Sequence, residues 1–265
     1  MGKAFGFHKA MDSMGAVLGP VAAIVLLALL ASMDSLQAYR LVFLISAVPA
    51  FVAVAVIVLF VKDRERAPRR VPGTFIGGMR GLGRRFWLLT AVVVVFYTGE
   101  ISYVFFILQA NEHVGSDAVI IGLYTLFNVV FVLVAIPSGS LSDRFGRRPV
   151  VVASFGVFAL TCAVMASADG LAMLVLGFSL FGLYKGSSEG VLKAFVIDVV
   201  PKGLRGSALG AFHTAVGMVM LPGGLIAGLL WDSVGPWATF AFGGGTALTA
   251  AALLALWKGG GGADR

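Results

Sequence analysis

Few residues in this chain could do chemistry, and they cluster. Glu100 is the only charge in a long apolar run, 86–111, with Tyr97 and Thr98 less than one helical turn before it and able to hydrogen-bond its carboxyl. Downstream, Lys185, Glu189 and Lys193 recur at intervals of four, which places them on one helix face. Charges embedded in apolar sequence suit two tasks: carrying a proton, or pairing with a charged group of a ligand. Catalysis by a covalent nucleophile fits poorly. Gly186-Ser187-Ser188-Glu189-Gly190 matches G-x-S-x-G, but a nucleophile elbow needs a strand before it, and here the surroundings read as helix. There is no H-E-x-x-H and no G-x-x-x-x-G-K, and Cys162 is the single cysteine, so the sequence offers no metal or cofactor site and no enzyme signature.

The elements that must hold these residues follow from composition. Apolar residues make up 59% of the 265 and charged residues 12%, against about 25% charged in soluble domains. A water-soluble core cannot hide that much apolar surface, because burial saturates at roughly three-quarters for chains of this size. The chain reads as an all-α, polytopic membrane protein. Some 20 helical residues cross the hydrocarbon core, and eight apolar windows of about that length stand between charges: 13–33, 41–61, 86–111, 118–142, 149–168, 170–199, 206–231 and 233–257. Glu100 falls in the third and the Lys185 face in the sixth.

The cations orient these windows. If the first residues are cytoplasmic, seventeen of the twenty Lys and Arg fall in inner segments, Arg40 alone falls outside, and Lys185 and Lys193 lie within the sixth span. That asymmetry supports eight crossings with both termini cytoplasmic. It also accounts for the net charge of +7 without any nucleic-acid surface. A signal peptide at the start is disfavoured, because 13–33 is longer than a signal's apolar core. His8 and His213 occupy matching positions at cytoplasmic helix starts and read as interfacial.

Depth along the spans disfavours a direct Glu100–Lys185 pair. Counted at 1.5 Å per residue from the nearest basic edge or from residue 170, the two differ by about 13 Å. Lys185 with Glu189 is the expected ion pair.

Residues 2–23 echo 206–227: Gly2, Ala4, Gly6, Met14, Gly19 and Ala23 fall on Gly206, Ala208, Gly210, Met218, Gly223 and Ala227. Repeated halves mark secondary transporters. Four spans precede the second copy and none precedes the first, so the chain is expected to be the last eight helices of a twelve-helix protein and not to transport by itself.

Gly139-Ser140-Leu141-Ser142-Asp143-Arg144-Phe145-Gly146-Arg147-Arg148-Pro149 resembles the cytoplasmic loop signature of the major facilitator superfamily, G-x-L-x-D-R-x-G-R-R. Gly139 is expected to let two helices approach, Asp143 to face a helix N-terminus or an Arg, and Pro149 to sit in a first helical turn. Gly15-Ala16-Val17-Leu18-Gly19-Pro20 is similar to the fifth-helix G-x-x-x-G-P of that family's antiporters, with Gly15 and Gly19 as a packing face and Pro20 as a bend.

The resemblance implies a major facilitator fold lacking its first four helices. It divides into 1–62 (a remnant of the N-terminal bundle), a basic linker 63–85, a six-helix bundle 86–258 and a disordered tail 259–265. In that family the loop residues Gly139, Asp143, Arg144, Gly146, Arg147 and Arg148 brace the inner gate, and the helices holding Glu100 and Lys185 line the central cavity. The implied function is secondary active transport of a small organic molecule by alternating access, as proton-coupled efflux across a bacterial inner membrane. Proton-coupled uptake is the alternative, and a non-transporting membrane subunit or inactive fragment is the alternative of another class. Glu100, Lys185, Glu189 and Tyr97 are the candidates for substrate or proton coupling. No substrate is named by any of these motifs.

Overall fold

The computed structural model describes residues 15, 18–60, 79 and 81–257. The start of the repeat with His8, most of the basic linker and the tail lie outside these residues. Every regular element described is helical: α1 Leu18–Leu29, α2 Ser35–Phe60, α3 Arg84–Thr98, α4 Tyr103–Val114 and α5 Asp117–Phe145. There follow α6 Arg147–Ala166, α7 Leu171–Asp198, a 3-10 turn Lys202–Leu204, α8 Arg205–Ser233 and α9 Pro236–Leu256. Among the described residues seven spans are long and apolar enough to cross a membrane, the second of them being α3 and α4 together (the third of the eight windows), and α1 is a shorter apolar helix. These correspond to the eight expected spans. Pro49, Pro137 and Pro222 lie inside α2, α5 and α8, as membrane helices allow.

The third span differs from the continuous helix expected. It breaks at Gly99–Ser102, leaving Glu100 on non-helical backbone between two half-helices. The Gly99 N–H donates to the Phe96 carbonyl, closing α3 with a tight turn. Ser102 then caps α4, its side chain accepting from the Val104 N–H. The break is held by close backbone packing. A methyl group at Gly223 of α8 would lie 2.1 Å from the Thr98 carbonyl oxygen, and one at Gly243 of α9 would lie 2.8 Å from that of Gly99. The carbonyls freed at the end of α3 therefore rest on the bare backbones of two neighbouring helices.

α7 is central, packed between α5 and α6, with α9 against α6 and α3. Its contact with α5 is glycine-mediated. A methyl at Gly182 or Gly186 would fall 2.6 or 2.7 Å from the Phe127 or Phe131 carbonyl oxygen. Below Gly186 the two helices part, and Gly190 faces open space. Aromatic side chains fill the interior. Phe96 stacks on Phe155 with centroids 3.9 Å apart, Phe106 stacks on Phe181 at 4.4 Å, and Phe158 and Tyr184 pack beside them. α2, by contrast, exposes almost its whole apolar length, as a helix in contact with lipid can.

Three glycines expected to pack against a neighbouring helix meet none among the described residues. Gly139 has nothing within 4 Å of where a Cβ would stand. Gly15 and Gly19 likewise face open space among the described residues. The close approaches occur instead at Gly182, Gly186, Gly223 and Gly243.

Candidate functional site

The break in the third span points the Glu100 carboxyl at α7. Its Oε1 accepts from the Tyr184 hydroxyl at 2.7 Å and from the Lys185 ammonium at 2.5 Å. The carboxylate side chain is 3% exposed and the lysine 30%. Lys185 Nζ also lies 5.9 Å from the Phe181 ring centroid and 5.6 Å from that of Tyr184, within cation–π range. Beside the pair is a cavity of about 270 Å³ bounded by Glu100, Tyr103, Phe105, Phe127, Phe181 and Met220, among others. It combines a mainly apolar wall that includes four aromatic rings with one acid–base pair whose carboxylate is buried, the composition of a small-molecule site.

This pairing overturns the depth argument. α7 has 28 residues and the broken third span 31, roughly 42 and 46 Å at 1.5 Å per residue, both well beyond the hydrocarbon thickness of about 30 Å. Depths counted from opposite faces were therefore not comparable. Lys185 is 14 residues from the start of α7 and 13 from its end, and Glu100 is equally central in its span. The expected Lys185–Glu189 pair does not form. Glu189 pairs with Lys193 at 3.2 Å, with both side chains substantially exposed. Glu four residues before Lys is the favoured order on a helix, and Lys before Glu is not.

Tyr97 and Thr98 do not bond Glu100. Thr98 Oγ1 donates back to the Val94 carbonyl, and the half-buried Tyr97 ring packs edge-on to Phe96. Tyr184 provides the hydroxyl instead. Adjacent helix residues point about 100° apart, so residue spacing alone does not bring Tyr184 and Lys185 to one acceptor. The long lysine arm reaches the oxygen that the buried tyrosine already contacts.

The loop signature forms a second polar cluster. Gly146 joins α5 to α6 at φ +92°, a conformation that glycine adopts without strain. Arg147 Nη1 contacts Asp143 at 3.1 Å and Ser142 Oγ at 3.1 Å, and its Nε donates to Asp198 at the end of α7 at 2.7 Å. Asp143 thus faces an arginine, one of the two outcomes expected. Arg148 donates to the Leu254 carbonyl at 2.7 Å and to the Ala255 carbonyl, satisfying orphan acceptors at the end of α9. Pro149 sits in the first turn of α6 as expected. Arg144 lies over the Phe145 ring at 5.3 Å. The signature therefore fastens the α5–α6 corner to the ends of α7 and α9. At the opposite end of the molecule the Tyr39 hydroxyl of α2 donates to Asp117, the first residue of α5.

A family profile described as Major Facilitator Superfamily matches residues 88–261, which include α4 to α9 and most of α3. The chain belongs to this superfamily. It is 33% identical over 260 residues to an uncharacterised MFS-type transporter of Methanocaldococcus jannaschii, covering 96% of this chain and 63% of that protein. An uncharacterised protein of Mycobacterium tuberculosis is 26% identical over 239 residues, 87% of this chain and 56% of its own length. The class G tetracycline resistance protein of Vibrio anguillarum is 32% identical over 124 residues, 47% of this chain and 30% of that protein. The chain thus spans about three-fifths of the length of the first two relatives. It is a multi-pass membrane protein of a transporter superfamily, whose members act in lipid on small molecules.

Proposed function

We propose that this chain supplies the Glu100–Lys185 centre of a secondary transporter that exports a small organic molecule in exchange for protons. The observation that carries the reading is the buried carboxylate, bonded to an ammonium and a hydroxyl at mid-span, on the wall of an aromatic cavity. Export is supported by the similarity to tetracycline resistance proteins and by the Gly15, Gly19, Pro20 pattern.

In this reading Glu100 is the proton carrier. While it is ionised, Lys185 balances its charge, so the ion pair adds no net charge to the membrane interior. When a proton reaches the carboxylate, Glu100 becomes neutral and the Lys185 ammonium is freed towards the cavity. That change in charge biases which side the cavity faces, as alternating access requires. Glu189 and Tyr97, towards the cytoplasmic half, serve proton passage. The 86–258 bundle moves against the helices of 1–62, with 63–85 as the connection and with Gly139, Asp143, Arg144, Gly146, Arg147 and Arg148 bracing the cytoplasmic end. The protein works in a bacterial inner membrane with both termini cytoplasmic.

The test uses everted membrane vesicles from cells expressing the gene, energised to an acid interior and monitored with a pH-sensitive dye. Compounds are added in turn, beginning with a tetracycline. An exported compound releases protons and recovers the dye signal, and Glu100→Gln abolishes that recovery at unchanged protein level. Equal recovery by the variant removes Glu100 from the mechanism. Flux driven in the opposite direction by the same gradient would identify uptake.

A further inference from the structure

A second cavity, of about 430 Å³, lies at the cytoplasmic half of α5, α6 and α7, away from the Glu100 centre. Ser138, Leu141 and Phe145 form its α5 wall and Pro149, Ala153 and Val157 its α6 wall, with Leu183 and Ser187 of α7 behind. None of its lining residues belongs to α1 or α2. Leu141 and Phe145 at its edge are 49% and 61% exposed. The wall is almost wholly apolar, and the hydroxyl groups of Ser154 and Ser187 donate to carbonyls of their own helices. From Phe145 to Ser138, and from Pro149 to Val157, the groove runs roughly 10–12 Å along the helix axes, starting at the basic end of the molecule.

At its mouth stands Arg144. Arg147 is taken up by Asp143 and Asp198, and Arg148 by the α9 carbonyls. Arg144 makes no ion pair among the described residues, and its guanidinium is held over the ring of Phe145, which itself lines the groove. An apolar slot of acyl-chain depth with a fixed guanidinium at the headgroup level is complementary to an anionic lipid of the cytoplasmic leaflet. We infer that this groove is a binding site for an anionic phospholipid, one acyl chain lying between α5 and α6 and the phosphate on Arg144. The lipid wedges the α5–α6 corner, tying the posture of that corner to membrane composition. A cation at the membrane surface contributes about 1 kcal/mol towards an anionic lipid, equivalent to roughly a fivefold preference.

The experiment places the protein with Phe145→Trp in nanodiscs, where the indole keeps the stacking partner of Arg144 and reports from the groove edge. Quenching of the added fluorescence by dibrominated phosphatidylglycerol is compared with that by dibrominated phosphatidylcholine, the parent protein giving the background of its own tryptophans. The expected result is about fivefold stronger association of phosphatidylglycerol, falling to near parity in Phe145→Trp/Arg144→Gln. Ala153→Phe, which fills the slot, is expected to reduce quenching by both lipids. Equal quenching by the two lipids without the Arg144 change, or a preference that survives it, overturns the proposal. So does displacement of the brominated lipid by soluble glycerophosphoglycerol alone, since the acyl slot would then contribute nothing.

Discussion

Removing Lys185 while keeping Glu100 tests the central pair most directly. In Lys185→Met the apolar stem is preserved and the 3%-exposed carboxylate loses its counter-ion, keeping only the Tyr184 hydroxyl. A carboxylate stranded in an apolar interior costs roughly 3–5 kcal/mol, unless it escapes by binding a proton. At pH 7 that escape costs about 3.7 kcal/mol, the distance from an ordinary glutamate value of about 4.3 at 1.36 kcal/mol per unit. At pH 5 it costs about 1 kcal/mol by the same arithmetic. The variant therefore loses about 3–4 kcal/mol at pH 7 and about 1 kcal/mol at pH 5. At 2–4 °C per kcal/mol for a chain of this size, the fall in Tm is about 6–16 °C at pH 7 and about 2–4 °C at pH 5. The sign follows from linkage: the folded variant holds a proton that the unfolded chain releases above about pH 4.3, so its stability rises as pH falls. Glu100→Gln/Lys185→Met leaves no charge and is expected to cost about 1 kcal/mol at either pH. Thermal unfolding in detergent, followed by size-exclusion fluorescence, measures all three. A Lys185→Met loss that is no greater than that of the double variant, or is the same at pH 7 and pH 5, would refute the buried pair.

The helix break makes a steric prediction. Gly223→Ala drives a methyl into the Thr98 carbonyl and should destabilise by about 1–3 kcal/mol, whereas Gly224→Ala next to it meets open space and should be neutral within about 1 kcal/mol; the same thermal assay compares them. Tyr39→Phe removes the hydroxyl that joins α2 to Asp117. With a charge-assisted bond contributing about 1.5–3 kcal/mol, a cysteine at the buried Ala38, on the wall of the adjoining cavity, should react at least about tenfold faster with an impermeant maleimide added outside. For topology, cysteines at Ser116 and Ser167 should label from outside the cell and one at Lys202 only after permeabilisation, against a background in which the native Cys162 is buried and silent.

Much of this molecule can be read along the chain. Each apolar window partitions into lipid largely by its own composition, so the succession of spans is a sum of local terms. The Asp143 to Pro149 signature could likewise be read from residue types, including the contact of Asp143 with an arginine. What spacing could not supply is which groups meet. Lys185 chose Glu100 over Glu189 because the third span breaks at Gly99–Ser102 and because both spans are longer than the bilayer core, placing both charges at mid-length. Tyr184, Gly182, Gly186, Gly223 and Gly243 acquired their roles in the same way, from the helices that lie across from them. Gly15, Gly19 and Gly139 have the same residue type and no such neighbour among the described residues. Membership of the membrane is decided residue by residue through transfer free energy. The site depends on distances between helices, which are set only when tertiary packing fixes where each one ends, breaks and approaches its partner.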